Sequence, residues 1–299
     1  MGAGGSSHAL FKNIHMEFRR QLLQHMLYLP ILFATLLACA KEGSEPGKGQ
    51  PEQPQEWSGP ELKVMAYNIH HCNPPSEPEL IDVEAIAKVI RSESPDLVAL
   101  QEVDVHTFRS GKDVHQAKML AELTGMHYYF KKAIDYEGGA YGVAVLSRFP
   151  IDDTLGFALP MAAGLKGEPR AVAAVKVKLP DGQQLIFAST HLDLHTQHRT
   201  VQAQKLVEAF TEDNSPVIIG GDFNDVAGSD PIDRLDESFR RTCIGANCPG
   251  TIPVVTPIRT IDYVFYRPIS AMRVKEHRVV PETYASDHRP VVAVLQMKD

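Results

Sequence analysis

The chain is short of basic charge. Thirty Lys and Arg stand against 37 Asp and Glu, a formal net charge of −7. Three of the basic side chains fall within the first 39 residues, so the remainder is more acidic still. An acidic surface does not gather polyanions by bulk charge, which disfavours tight non-specific nucleic-acid binding, although a bound divalent cation can reverse the potential locally. Long apolar runs are also missing. The run at residues 26–38 holds thirteen apolar-leaning residues, against about 20 for a membrane-spanning helix. Cysteine is scarce, with four in 299 residues. The pair in "CIGANC", Cys243 and Cys248, is expected to close one local disulfide, because two cysteines do not complete a zinc shell. No repeat at a solenoid period is present.

What the N-terminus does have is the pattern of a processing segment. Arg19 and Arg20 precede the apolar run, Pro30 interrupts it, and Cys39 follows it. That is the layout of a signal peptide. "LLAC" resembles the lipobox of bacterial lipoproteins, which makes Cys39 the expected lipidated residue. Residues 1–39 are therefore read as a signal peptide with lipobox, with Met16 as a plausible start and residues 1–15 upstream of it. Residues 40–58, "AKEGSEPGKGQPEQPQEWS", are rich in Pro, Gly, Glu and Gln and read as a disordered tether. The expected location is outside the cytoplasm, anchored by lipid to the cell envelope.

Residues 59–299 have the periodicities of one folded domain. "LKVMAYNI", "DLVALQEV", "YGVAVLSRF", "AVAAVKVKL", "QLIFAST", "PVIIGGDF", "IDYVFY" and "PVVAVLQM" read as strands. Several are apolar throughout, which indicates burial on both faces. "VEAIAKVIRSE", "DVHQAKMLAELTG" and "TVQAQKLVEAFTED" carry helical apolar spacing. The pattern predicts an α/β fold in which two packed sheets are flanked by helices.

The strands end in chemistry. Asn68, Glu102, His191, Asp222 and Asn224 close apolar strands; Asp262 opens one, and Asp287 and His288 precede the last. If the strands share one sandwich, these ends converge on one rim and build a site on rigid elements. Oxygen ligands of this kind suit Mg²⁺ or Mn²⁺. The "HHC" at residues 70–72 invites a zinc reading. On a strand, however, successive residues face opposite sides, so the three are not expected to share an ion, though His70 or His71 can line the pocket.

The motifs "MAYNIH", "LVALQEVD", "YGVAVLSRFP", "STHLDL", "GGDFND", "TIDYVF" and "SDHRPVVAVL", in this order, resemble those of the endonuclease/exonuclease/phosphatase superfamily across residues 61–297. The resemblance implies a four-layer α/β sandwich with two mixed sheets, and metal-dependent cleavage of phosphate esters. It makes Glu102 the main metal ligand, with Asn68 at the metal or the scissile phosphate and Asp287 a second ligand candidate. Asp222 would orient or deprotonate the attacking water, and Asn224 would fix Asp222 and the phosphate. Asp262 would hold His288 against the phosphate, while His191 and Arg170 contact it from elsewhere. Tyr141, Asp193 and His195 sit beside these motifs. Where abasic-site endonucleases carry an acid two residues after the first Asn, this chain has His70, so their two-metal schemes transfer poorly.

A membrane-tethered acidic domain favours a lipid or phosphoinositol head group as the substrate of a Mg²⁺- or Mn²⁺-dependent phosphodiesterase, acting as a monomer. A secreted nuclease is the alternative, and a catalytically dead binding module the reading from another class. The intact set of polar strand ends speaks against the dead module.

Overall fold

In the computed structural model, residues 57–212 and 214–298 are described; the expected signal segment, Cys39 and nearly all of the tether lie outside them. The chain runs through β1 (Glu61–Asn68), α1 (Val83–Glu93), β2 (Leu97–Val105), α2 (Gln116–Thr124), β3 (His127–Tyr136) and β4 (Gly139–Ser147). Next come β5 (Ile151–Thr154), β6 (Phe157–Ala158), β7 (Ala171–Lys178), β8 (Gln184–His191) and α3 (Thr196–Thr211). The last part holds β9 (Val217–Asp222), α4 (Asp230–Asp236), β10 (Arg240–Arg241), β11 (Asp262–Arg267), β12 (Met272–Val279) and β13 (Val291–Met297).

These strands form two sheets, ordered β12-β13-β1-β2-β4-β3 and β10-β11-β9-β8-β7-β5, with β6 paired to β7. Both are mixed: β1 runs parallel to β2 and β8 to β9, and the other pairs are antiparallel. Alternation across the pleat sends side chains to both faces of each sheet. Val64, Ala66, Leu97, Ala99 and Val145 of the first sheet meet Val175, Phe187, Ile218 and Val264 of the second in a central core. The outer face of the first sheet, with Met65, Val98 and Leu146, is covered by Ile86 and Ile90 of α1 and Leu120 of α2. That of the second, with Ala174, Ile219 and Phe265, is covered by Leu206 and Phe210 of α3 and Leu235 of α4. Two packed sheets with a helical layer on each outer face are the expected four-layer α/β sandwich.

Local signals explain the helix ends. Asp82 caps α1, its carboxylate accepting from the Ala85 N–H at 2.9 Å, and Gly125 ends α2 in the left-handed conformation that glycine favours. A disulfide joins Cys243 and Cys248, as expected.

Gly220 of β9 lets the two sheets approach closely next to the polar strand ends. A β-carbon there would lie 2.8 Å from the Ala99 methyl and 3.1 Å from the Ala66 methyl, both in the opposing sheet. Gly220→Ala is therefore expected to lower unfolding stability by about 1–3 kcal/mol, read as a lower urea midpoint with an unchanged slope.

Candidate active site

Register alone lines up three of the expected groups. Parallel pairing of β8 with β9 sets His191 beside Asp222, and antiparallel pairing of β9 with β11 sets Asp262 beside Asp222. All three are almost fully buried. Two carboxylates side by side in low dielectric repel one another, so the arrangement needs a counter-ion or a proton.

His288, from the loop before β13, supplies the counter-ion. Its Nδ1 lies 2.9 Å from one Asp262 oxygen and 3.1 Å from the other, and its Nε2 is 3.8 Å from Asp222 Oδ2. Burial alone would discharge this imidazole, but Asp262, together with Asp222 and Asp287, overcomes burial and raises its pKa to about 10. Asp222 moves the other way relative to its charge. Burial and then the neighbouring Asp262 raise it to about 7, against the opposing pull of His288, the Asn224 N–H and Asn68. A carboxylic acid that titrates near neutrality next to a cationic imidazole has the properties of a general base.

Asn68, at the end of β1, ties this row to the first sheet. Its Nδ2 donates to Asp222 Oδ2 at 3.1 Å and to Glu102 Oε1 at 3.0 Å, one proton to each. Its own Oδ1 accepts from the His70 N–H at 3.1 Å, and its backbone carbonyl accepts from the Ser286 hydroxyl at 2.7 Å. The amide thus presents its NH₂ rather than its oxygen to the two acids.

Glu102 was expected at the end of the second strand; it lies inside β2, which continues to Val105. Pairing of β2 with β4 slips between Leu100 and Val103, and Glu102 takes a φ of +58°. A bulge with a left-handed residue re-aims one side chain out of the strand's alternation. Burial pushes its carboxyl up, but the His71 imidazole and the Asn68 amide, with His191 and His70 nearby, hold it well below the usual carboxylate range.

The remaining groups frame the pocket. Asn224, itself at φ +52°, donates its backbone N–H to Asp222 Oδ1 at 2.8 Å. Its side-chain Nδ2 lies 3.0 Å from His191 Nε2 and 2.9 Å from the Leu192 carbonyl. His191 is kept well below its ordinary pKa by burial and then by the Arg170 charge, so it is neutral and accepts from Asn224. Arg170 is buried, its NH1 3.1 Å from Glu168, while its Nε has no hydrogen-bond partner. A guanidinium with an orphaned N–H close to His191 and Tyr141 is suited to an oxyanion. Tyr141 stays protonated, raised first by burial and then by Glu102.

Asp193 and His195, beside the motifs, do structural work. Asp193 is a turn pin, its two oxygens accepting from the His195 N–H at 2.7 Å and the Glu168 N–H at 3.2 Å. His195 is the residue ahead of α3. Asp287 joins neither of the two ligand clusters found among the described residues, which are Asp222–Asp262–His288 and His70–His71–Glu102. The second cluster overturns the strand-based objection to His70 and His71. Residues 70–72 form a 3-10 turn, not a strand, and both imidazoles face Glu102. Cys72 is excluded for another reason: its thiol is fully buried in the core beneath α1 and α2. Ser286 was not singled out from "SDH", yet it holds both Asn68 and, at 3.3 Å, the His288 N–H.

These donors fit a divalent cation. Glu102 is charged, and His71 Nδ1 is buried without a hydrogen-bond partner 3.9 Å from Glu102 Oε2. Carboxylate oxygens suit Mg²⁺ or Mn²⁺, and imidazole nitrogen suits a transition ion.

The two titrations set the pH dependence. Asp222 accepts a proton only when ionised, so kcat/KM should rise with pH until about 7. His288 loses its charge as pH passes about 10, and the rate should fall there. Asp222→Asn should remove the acid limb and cost about 10²–10⁴-fold in kcat, measured as a pH–rate profile for wild type and variant.

A model of the Endonuclease/Exonuclease/phosphatase family matches residues 65–288. The chain is 28% identical over 261 residues to the uncharacterised protein YbhP of Escherichia coli K12, covering 83% of this chain and all of that one. A crystal structure of an endonuclease/exonuclease/phosphatase from Beutenbergia cavernae superimposes with a TM-score of 0.66 at 26% identity, over 80% of this chain and 72% of that one. The fold is also that of a Bacteroides thetaiotaomicron mannosyl-6-phosphatase, with a TM-score of 0.61 at 21% identity over 78% and 99% of the two chains. With the family's motifs converging on one rim and its model matching from Met65 to His288, the chain belongs to the Endonuclease/Exonuclease/phosphatase family, whose members hydrolyse phosphate esters.

Proposed function

We propose that this chain is a divalent-metal-dependent phosphodiesterase that acts on lipid or phosphoinositol head groups outside the cytoplasm, as a monomer tethered through Cys39. The observation that carries the chemistry is the Asn68 amide, which holds a strongly acidic carboxylate, Glu102, and a near-neutral one, Asp222, in a single reach. Glu102 would hold Mg²⁺ or Mn²⁺. A bound cation supplies charge neutralisation on the phosphate oxygens. Asp222, its lone pair kept aimed by Asn68 and Asn224, takes a proton from water as the water oxygen attacks phosphorus. The ester P–O bond on the far side breaks, and the departing oxygen leaves as the alcohol after taking a proton from the medium. The His288 imidazolium, oriented by Asp262, and Arg170 donate to the phosphate oxygens as charge gathers there. Each of these groups is held before substrate arrives, so little reorganisation opposes the step.

Exposed apolar side chains on the loops around the strand ends support a lipid substrate. Phe108 follows β2, Leu194 follows β8, Val226 follows β9, Val255 and Ile258 precede β11, and Tyr284 precedes β13. Sheet topology places all these loops at the end of the sandwich that carries Asn68, His191, Asp222 and Asp262. Scattered exposed apolar residues are ordinary; their gathering around one pocket favours an interface with acyl chains. The acidic balance of the chain weighs against a nucleic-acid strand.

Hydrolysis should be assayed with Mg²⁺ or Mn²⁺ on vesicles of inositol phospholipid and sphingomyelin, plasmid DNA, a chromogenic phosphodiester and mannose 6-phosphate, each with Glu102→Ala. The expected outcome is vesicle cleavage that Glu102→Ala abolishes and Leu194→Ser with Ile258→Ser weakens on vesicles but not on the chromogenic ester. DNA nicking without vesicle cleavage would make the protein a nuclease.

A further inference from the structure

We propose that His70 and His71 join Glu102 as nitrogen ligands, so that this position takes a first-row transition ion such as Mn²⁺ in preference to Mg²⁺. The inference rests on the reading of Glu102 as a metal ligand and goes beyond it. Three ligand atoms, one from each residue, lie within 4.8 Å of one another.

The backbone is committed to this placement. His70, His71 and Cys72 have φ of +45°, +44° and +60°, and Glu102 opposite them +58°. Left-handed conformations are unfavourable for side-chain-bearing residues and persist only where the surroundings enforce them. Here the turn closes with the Cys72 N–H on the Ile69 carbonyl at 2.7 Å and the Asn73 N–H on the His70 carbonyl at 2.8 Å. The Gln116 amide donates to the His71 carbonyl at 2.6 Å, and the buried Cys72 side chain plugs the turn into the core. A strand would have parted the two imidazoles; this turn stacks them edge to face, with centroids 4.5 Å apart.

The hydrogen bonds prepare the nitrogens. His70 Nδ1 lies 2.9 Å from the Asn73 carbonyl, which can only accept. A ring proton therefore sits on Nδ1, which leaves Nε2 as the nitrogen that can face an ion. A backbone carbonyl on the far nitrogen is the usual outer partner of a metal-bound histidine. His71 Nδ1 is buried with no hydrogen-bond partner, 3.9 Å from Glu102 Oε2. That separation is too long for a hydrogen bond; metal–ligand bonds of roughly 2.0–2.2 Å to each atom span it. Imidazole nitrogen binds first-row transition ions readily, whereas Mg²⁺ prefers oxygen and water.

The test uses the full chain with Mn²⁺ and Mg²⁺ as probes. Calorimetry gives both affinities, and pulsed electron paramagnetic resonance of the Mn²⁺ form reports directly bonded nitrogen. Wild type is expected to prefer Mn²⁺ and show imidazole nitrogen coupling. His70→Gln with His71→Gln should lose the coupling and weaken Mn²⁺ by at least about tenfold, with Mg²⁺ nearly unchanged. His71→Asn alone, which is smaller and easier to accommodate, should give part of that loss, and thermal melts of each variant report folding. Mn²⁺ bound without nitrogen coupling, or an unchanged Mn²⁺-to-Mg²⁺ ratio in both histidine variants, would overturn the proposal. If Glu102→Gln still abolished binding in that case, the reading of Glu102 would stand on its own. Undiminished metal binding in Glu102→Gln would overturn both.

Discussion

One side-chain amide joins the two halves of the site. Asn68 belongs to the first sheet, Asp222 to the second, and Glu102 to a bulge in the first, and the Asn68 NH₂ spends one proton on each acid. This bridge is possible only where the sheets nearly touch, which Gly220 allows by presenting no side chain to Ala66 and Ala99. A few tenths of an ångström of added separation would lengthen the Asn68–Asp222 hydrogen bond, and such bonds weaken steeply with distance and angle. Packing in the central core and geometry at the site are therefore one constraint.

The electrostatics of the cluster run against stability. Asp222 and Asp262 are cross-strand neighbours, both buried, and His288 compensates them only in part. A folded protein selected for stability alone would place apolar side chains at such positions. The cost of keeping the acids is carried by the three apolar cores on either side of and between the sheets. Left-handed residues at 70–72, 102 and 224 add to it, and they too are gathered at the site.

Much of this was legible in the sequence, for identifiable reasons. The eight strands expected from apolar runs are the inner ones, whose two largely buried faces leave few polar interruptions. The strands that went unread, β3, β5, β10 and β12, are the four outermost of the two sheets, and β6 pairs only at a sheet margin. Edge strands such as "HYYFKKAIDY" and "MRVKEHRV" face water and carry charge, so their period is blurred. The helix at residues 230–236 has a single buried stripe over seven residues, too short to register. At the site, residue types and order sufficed for Asp222, Asp262 and His288. The clustering of His70 and His71 was not legible, because periodicity arguments assume a regular element and the chain turns left-handed at His70, two residues after Asn68. Glu102 does come to Asn68, but from inside its strand and not from its end, since a bulge leaves no mark in an apolar run.

The position of β1 has a consequence for biosynthesis. It lies between β2, made shortly after it, and β13, made only after the whole second sheet. Until Val291–Met297 has left the ribosome, one edge of β1 is bare, and Ser286 and His288, just ahead of that strand, have no paired β13 to hold them at Asn68 and Asp262. A nascent or prematurely terminated chain therefore cannot assemble the acid row with its counter-ion. Hydrolytic competence arrives only with β13, so a chain cut short before Val291–Met297 carries no assembled site.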